Sequence, residues 1–171
     1  MKLRTLFSEK DIAEKVKELG EQISRDYQGK SLTVIALLNG ALPFTADLIR
    51  HISIPVYLDS FASSSYVNDS SSKELTVRSR LKEPITGKHI LLVDDILDTG
   101  HSLAGCVEYF RKMEPASIKT CVFLDKELNI SKPIQADYAG YSVENLYVVG
   151  YGLDSHELYR NLPFVGVVEN D

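Results

Sequence analysis

The 171-residue chain is short of cysteine, of net positive charge and of long apolar runs. Its two cysteines are too few for a disulfide scaffold. Cys106 and Cys121 each sit in an apolar segment, so both read as small buried hydrophobes of a reducing compartment rather than as a bridge. Lys and Arg total 19 against 24 Asp and Glu, a net charge of −5. Bulk charge therefore offers nothing to a nucleic acid, and no nucleic-acid partner is expected. No stretch approaches the ~20 apolar residues of a membrane span. Residues 1–10 carry no apolar signal-peptide core. The expectation is a cytoplasmic chain without a membrane partner. What is present is ordinary: 44% hydrophobic and 25% charged residues, no repeat, no linker, and a length that suits one domain.

The pattern along the chain alternates helix and strand. Ser8 followed by Asp11 is a capping-box variant. Ile12, Val16, Leu19 and Ile23 then recur at helical spacing, and Gly29 ends the segment. Residues 32–38 (LTVIALL) form a continuous apolar run too short for a helix, which suits a strand covered on both faces. After Asn39-Gly40, Pro43 opens a second helix with Phe44, Leu48, Ile49 and Ile52 on one side. Residues 56–61 predict a second strand. Residues 62–73 are Ser-rich and aperiodic, with a short strand expected at 76–80. Residues 89–93 (HILLV) predict a third buried strand. Ser102 then starts a helix with Leu103, Cys106, Val107, Phe110 and Met113 inside. Further strands are expected at 118–124, 147–151 and 165–168. Such an order implies an α/β domain: a mostly parallel central sheet flanked by helices. Ligands of such sheets bind at the carboxyl ends of the strands.

One of those ends carries chemistry. Residues 93–102 read V-D-D-I-L-D-T-G-H-S. Thr99, Gly100, His101 and Ser102 make a tight turn into a helix N-terminus, where free amides, hydroxyls and the helix dipole converge on an anion. Read alone, the turn is equally an N-capped helix with Thr99 and Ser102 as caps. Asp94, Asp95 and Asp98 would repel a bare phosphate. They make sense if the ligand also brings hydroxyls or Mg²⁺. A sugar phosphate satisfies both ends.

Residues 93–102 resemble the ribose-5-phosphate signature of the type I phosphoribosyltransferases. Together with Leu38-Asn39-Gly40, Ser65-Tyr66, Lys126, residues 147–151, Asp154 and Arg160, the whole chain resembles the hypoxanthine-guanine members. That resemblance implies the type I phosphoribosyltransferase fold with a small hood from the chain ends and a flexible lid at about 62–80. It implies transfer of phosphoribose from 5-phosphoribosyl 1-pyrophosphate to a 6-oxopurine. By the same resemblance, Asp94 and Asp95 hold the ribose hydroxyls and, with Asp154, the Mg²⁺ shell. Asp98 is the base beside purine N7. Thr99, Gly100, His101 and Ser102 cradle the 5′-phosphate. Leu38-Asn39-Gly40, with a non-proline cis peptide, and Arg160 face pyrophosphate. Ser65 and Tyr66 belong to the lid, and Ile96, Lys126, Tyr147, Val148 and Asp154 to the purine side. A homodimer or homotetramer is implied.

The chain departs from the family pattern in three places. Asn39 and His101 stand where lysine is frequent, and the acidic pair is Asp-Asp where Glu-Asp is common. Without the resemblance, Lys126 reads as well as a solvated lysine, Tyr147 as a core aromatic, Asp154 as a loop or cap residue and the Ser-rich stretch as a surface loop. The other histidines, His51, His89 and His156, read as surface or structural residues. The competing reading of the whole is a phosphoribosyl-pyrophosphate-sensing regulator that binds nucleic acid. Asp98 and the net charge speak against it.

Overall fold

The computed structural model of the chain describes residues 2–67 and 73–169. Two sheets are formed. The central one has six strands in the order β4-β3-β2-β5-β6-β7: β2 (Leu32–Leu38), β3 (Val56–Val67), β4 (Lys73–Val77), β5 (His89–Leu97), β6 (Ser117–Lys126) and β7 (Tyr138–Val143). All neighbours run parallel except β3 and β4, which pair antiparallel. The second sheet joins the chain ends: β1 (Lys2–Phe7), β9 (Val165–Glu169) and the two-residue β8 (Val148–Val149), all antiparallel.

Helices cover both faces of the central sheet, as the alternating pattern implies. Helix α1 (Glu9–Asp26) begins at the predicted capping box: Asp11 N–H donates to Ser8 Oγ at 3.2 Å, and Ser8 N–H donates to the Asp11 carboxylate at 2.8 Å. It packs Ile12, Val16, Leu19 and Ile23 against α2 (Leu42–Ile49) and the face of the sheet bearing Val34, Leu91, Val93 and Phe123. Helix α3 (His101–Arg111) covers the other face, where Leu103, Cys106 and Phe110 meet Ile35, Phe61, Ile90 and Leu92. Cys106 and Cys121 lie in these two separate cores, both buried and unbridged, and burial pushes the Cys106 thiol up to about 11.

Several boundaries differ from the sequence reading, each for a physical reason. β3 runs on to Val67, so the first arm of the Ser-rich stretch is strand, paired with β4 at 73–77 rather than 76–80. Ser65 and Tyr66 are placed by this backbone ladder, opposite Leu75 and Glu74. The apolar run 147–151 does not join the central sheet. Gly150 (φ 95°) and Tyr151 (φ 51°) turn the chain away after two ladder residues. β5 continues past Val93 through both acids to Leu97. β1 and β7 were not read from the sequence at all.

The strand order reverses direction at β2 and β5. From β2 the chain moves outward through α2 to β3, and from β5 it moves the other way through α3 to β6. Ligands of open parallel sheets bind outside the carboxyl ends at such a switch point. The loop after β2 (residues 38–41) and the turn after β5 (residues 97–101) lie there side by side.

Phe110 is fully buried, with its ring 4.7 Å from Phe61 and 5.2 Å from Tyr109. Phe110→Ala should cost about 3–5 kcal/mol of stability by urea unfolding. A loss below about 1 kcal/mol would show that α3 is not held to the sheet through this ring.

Candidate active site

The strand-end acids come just before a break in the alternation of β5. Ile90 and Leu92 face α3, while Leu91 and Val93 face α1 and α2; beyond Asp95 the order slips, so that Ile96 joins the α1/α2 layer and Leu97 the α3 layer. Each acid folds forward onto the next amide. Asp94 Oδ1 accepts from Asp95 N–H at 3.0 Å and Asp95 Oδ1 from Ile96 N–H at 2.8 Å. Burial, then the neighbouring Asp95 charge, raises Asp94 well above the ordinary carboxylate range. Burial raises Asp95 as well, opposed by the hydrogen bonds it accepts and by the Arg160 guanidinium.

Asp94 lines a small cavity of about 80 Å³ together with Ile96, Asp98, Thr99, Gly100 and Ser102. The helix behind that cavity starts at His101, one residue earlier than read from the sequence. Its N-cap is Gly100 in the left-handed conformation (φ 85°), and no side chain makes the capping hydrogen bond. Thr99 and Ser102 are thus not caps, and the first-turn amides keep their donors for an anion. His101 and Ser102 are exposed at this mouth.

Asp95 faces the other loop. The Leu38-Asn39 peptide is cis, as the resemblance implies. The next residue is glycine, and a Cβ on Gly40 would stand 2.0 Å from Asp95 Oδ2, so any larger residue would displace that carboxylate. Gly40 is in turn overlain by Gly152, where a Cβ would stand 2.0 Å from the Gly40 carbonyl oxygen. Arg160 ties this layer together, donating to the Gly152 carbonyl at 2.7 Å and pairing with Asp154 at 3.0 Å and Glu157 at 3.1 Å. The segment carrying these residues is held onto the sheet by Tyr151, whose ring lies 5.1 Å from Phe123 and whose hydroxyl donates to Asp47 at 2.8 Å.

On the β6 side, Lys126 buries its stem and pairs its ammonium with Asp98 Oδ2 at 3.3 Å. Its side chain is 12% exposed, which removes the reading as a solvated lysine. Tyr147 and Val148 lie on the small sheet, Val148 buried in its ladder and Tyr147 half exposed, so Tyr147 is not a core aromatic. Asp154 also accepts from Glu157 N–H at 2.9 Å, a loop-closing contact.

The strand-end rule points to residues 152–154, but the contact of Gly152 with Gly40 carries no signal in the sequence. One contributor escapes the sequence reading altogether. Lys132 lies in a polar loop six residues past Lys126, yet its ammonium is inserted between the ends of β5 and β6, where it donates to the Leu97 and Lys126 carbonyls and to the Asp125 carboxylate.

Fold and site together define an α/β protein whose sheet switch point has an uncapped helix N-terminus beside Asp94 on one side and the cis-peptide loop beside Asp95 on the other. The family model of the phosphoribosyl transferase domain matches residues 4–156. A hypoxanthine-guanine phosphoribosyltransferase of Bacillus subtilis is 43% identical over 167 residues, 97% of this chain and 93% of that one. Its counterpart in Streptococcus pneumoniae is 38% identical over 98% of this chain and 94% of its own. The crystal structure of a hypoxanthine-guanine phosphoribosyltransferase from Bacillus anthracis superposes with a TM-score of 0.91 at 39% identity, covering 99% of this chain and all of that one. The chain belongs to the phosphoribosyl transferase family, and the relatives around it are its hypoxanthine-guanine members.

The raised acids set a pH dependence. A carboxyl whose folded value lies above its unfolded 3.8 binds more protons folded than unfolded, so its ionised form lowers stability as pH rises above about 4. Asp94→Asn should therefore raise the melting temperature of the ligand-free protein at pH 7, with the gain shrinking as pH falls toward 4. A destabilised variant at pH 7, or a gain independent of pH, would contradict the ionisation cost assigned to Asp94.

Proposed function

We propose that the chain serves purine salvage: it transfers phosphoribose from 5-phosphoribosyl 1-pyrophosphate to N9 of hypoxanthine or guanine, giving IMP or GMP and pyrophosphate. The observation that carries this reading is the Asp98–Lys126 pair, 3.3 Å apart, beside the uncapped turn at 99–102. It sets a proton acceptor and a proton donor next to an anion cradle. One contact suits N7 of a purine and the other its O6.

The turn amides of Thr99, Gly100, His101 and Ser102 hold the 5′-phosphate, as helix N-termini hold anions generally. Asp94 and Asp95 take the ribose hydroxyls. Leu38-Asn39-Gly40 and Arg160 hold the pyrophosphate, Arg160 turning its fork from Asp154 and Glu157 toward the leaving group. The C1–oxygen bond to pyrophosphate breaks as N9 closes on C1. Positive charge develops on the ribose as it does in glycoside cleavage. Asp98 holds or accepts the N7 proton, so the base attacks without carrying excess charge. Lys126 donates to O6; the 6-amino group of adenine cannot accept that bond, which disfavours adenine. Ile96 and Tyr147 flank the base, and Val148 offers backbone groups to its edge. Ser65 and Tyr66, on the β3–β4 hairpin, belong to a lid that excludes water from the activated sugar.

Mg²⁺ fits this site. Among the described residues no three His, Cys, Asp or Glu side chains converge into a cage of their own. Mg²⁺ is usually held by one or two carboxylates with substrate phosphates and waters. Asp94 and Asp95, with Asp154 near Arg160, are such oxygen donors, and a cation would offset the burial that raises both acids and the Asp95 charge that adds to it at Asp94. When bound, it would neutralise pyrophosphate as that group leaves. Phosphorylated substrates do not cross a bilayer unaided, so the reaction is assigned to the cytoplasm. Exposed Leu42 on α2, next to the 38–41 loop, and exposed Tyr57 and Leu58 near the start of β3 support a homodimer or homotetramer.

Incubation with 5-phosphoribosyl 1-pyrophosphate, Mg²⁺ and each free base in turn tests the reading: nucleotide should form with hypoxanthine or guanine and not with adenine. Formation from adenine alone, or from no base, would overturn it. Asp98→Asn should lower kcat by about 10²–10⁴-fold while substrate still binds; an unchanged kcat removes Asp98 from the base role. Lys126→Ala should chiefly erode discrimination against adenine, and equal discrimination in variant and parent would remove Lys126 from base selection.

A further inference from the structure

Lys132 makes more bonds than a loop lysine has reason to make. Its side chain is 13% exposed. An ammonium has three donors, and all three are used: on the Leu97 carbonyl at 3.1 Å, on Asp125 Oδ1 at 2.7 Å and on the Lys126 carbonyl. Leu97 and Asp125 are ladder partners at the ends of β5 and β6. The ammonium therefore sits where the ladder stops, joining the last carbonyls of two neighbouring strands. Asp98 is the residue after Leu97, and Lys126 is itself one of the residues gripped. Asp98 and Lys126, the side chains assigned to purine N7 and O6, leave the backbone at the two strands this cation joins.

We propose that Lys132 is a positioning residue for base recognition: it locks the ends of β5 and β6 at a fixed separation and so holds Asp98 and Lys126 opposed. It touches no substrate. Its effect passes through the two carbonyls, and it falls on the purine pair more than on the phosphate turn, whose far end is held by α3, or on the 38–41 loop, which follows β2. This inference rests on the transferase reading for its consequence, although not for the clamp.

The test compares parent, Lys132→Met and Lys132→Arg. Methionine keeps the length of the stem and removes every donor; arginine keeps charge and donors. Hydrogen exchange is measured first on the ligand-free proteins. Lys132→Met should exchange about tenfold faster in peptides covering 94–100 and 124–129, with α1 and the small sheet unchanged, and Lys132→Arg should stay close to the parent. Steady-state kinetics follow. Because small misplacements of reacting groups are costly, kcat/KM for the purine should fall about 10–100-fold in Lys132→Met, with KM for 5-phosphoribosyl 1-pyrophosphate within about twofold of the parent and partial recovery in Lys132→Arg. Unchanged exchange overturns the clamp whatever the kinetics. Faster exchange with unchanged purine kinetics, or with both substrates affected equally, overturns the positioning role. A parent that forms no nucleotide overturns the transferase reading and this role with it, while exchange alone still decides the clamp.

Discussion

Two neighbouring carboxylates at the end of a buried strand are an arrangement that folding alone does not favour. Asp94 and Asp95 are partly withdrawn from water, burial raises the cost of ionising both, the Asp95 charge adds to that cost at Asp94, and among the described residues neither makes a salt bridge. The surroundings accommodate them nonetheless. The alternation of β5 sends them to different layers, and the slip follows them. The strand-end amides take one oxygen of each. Gly40 gives up its side chain so that Asp95 can fit, and Arg160 lies close enough to ease the Asp95 charge. Each of these concessions makes sense as preparation for a ligand that brings hydroxyls and a divalent cation. A ligand-free protein would be better served by asparagine.

From that pair the rest of the site follows in two directions. Toward α3, Asp94 leads into a turn whose helix has a left-handed glycine for an N-cap and no side chain to satisfy its amides. Toward α2, Asp95 leads through Gly40 and Gly152 to Arg160. The switch of strand order between β2 and β5 makes both directions available at once, because loops that leave in opposite senses open a crevice between them. The sheet thus supplies a rigid floor. The groups that meet the ligand stand on strand ends and helix starts, the most precisely held positions of the fold.

Much of this was legible in the sequence, and the limits have identifiable causes. Buried parallel strands read as unbroken apolar runs, so 32–38 and 89–93 were plain. A capping box is a local signal, so the start of α1 was plain too. β5 hides its last four residues because charged side chains do not look like strand. β7 hides because Ala139, Gly140 and Ser142 dilute its two buried residues, Tyr138 and Val143. The run at 147–151 misleads because the positive φ values of Gly150 and Tyr151 cannot be seen in apolar content. Thr99 and Ser102 resemble caps by residue type, and only the backbone of Gly100 shows that they are not. The acids, the turn and Lys126 were legible as chemistry because their types and spacing carry it. The contact of Gly152 with Gly40 and the role of Lys132 were not, since both arise from contacts made across the fold.

The central claim is a division of labour within one crevice: turn amides for the phosphate, strand-end acids for the ribose. Amide chemical shifts recorded during titration with ribose 5-phosphate and Mg²⁺ test it most directly. The account predicts the largest changes at Thr99, Gly100, His101 and Ser102, extending to Asp94 and Asp95 and losing the latter when the sugar hydroxyls are removed. Saturable binding that leaves residues 94–102 unmoved and shifts another surface of the molecule would contradict it.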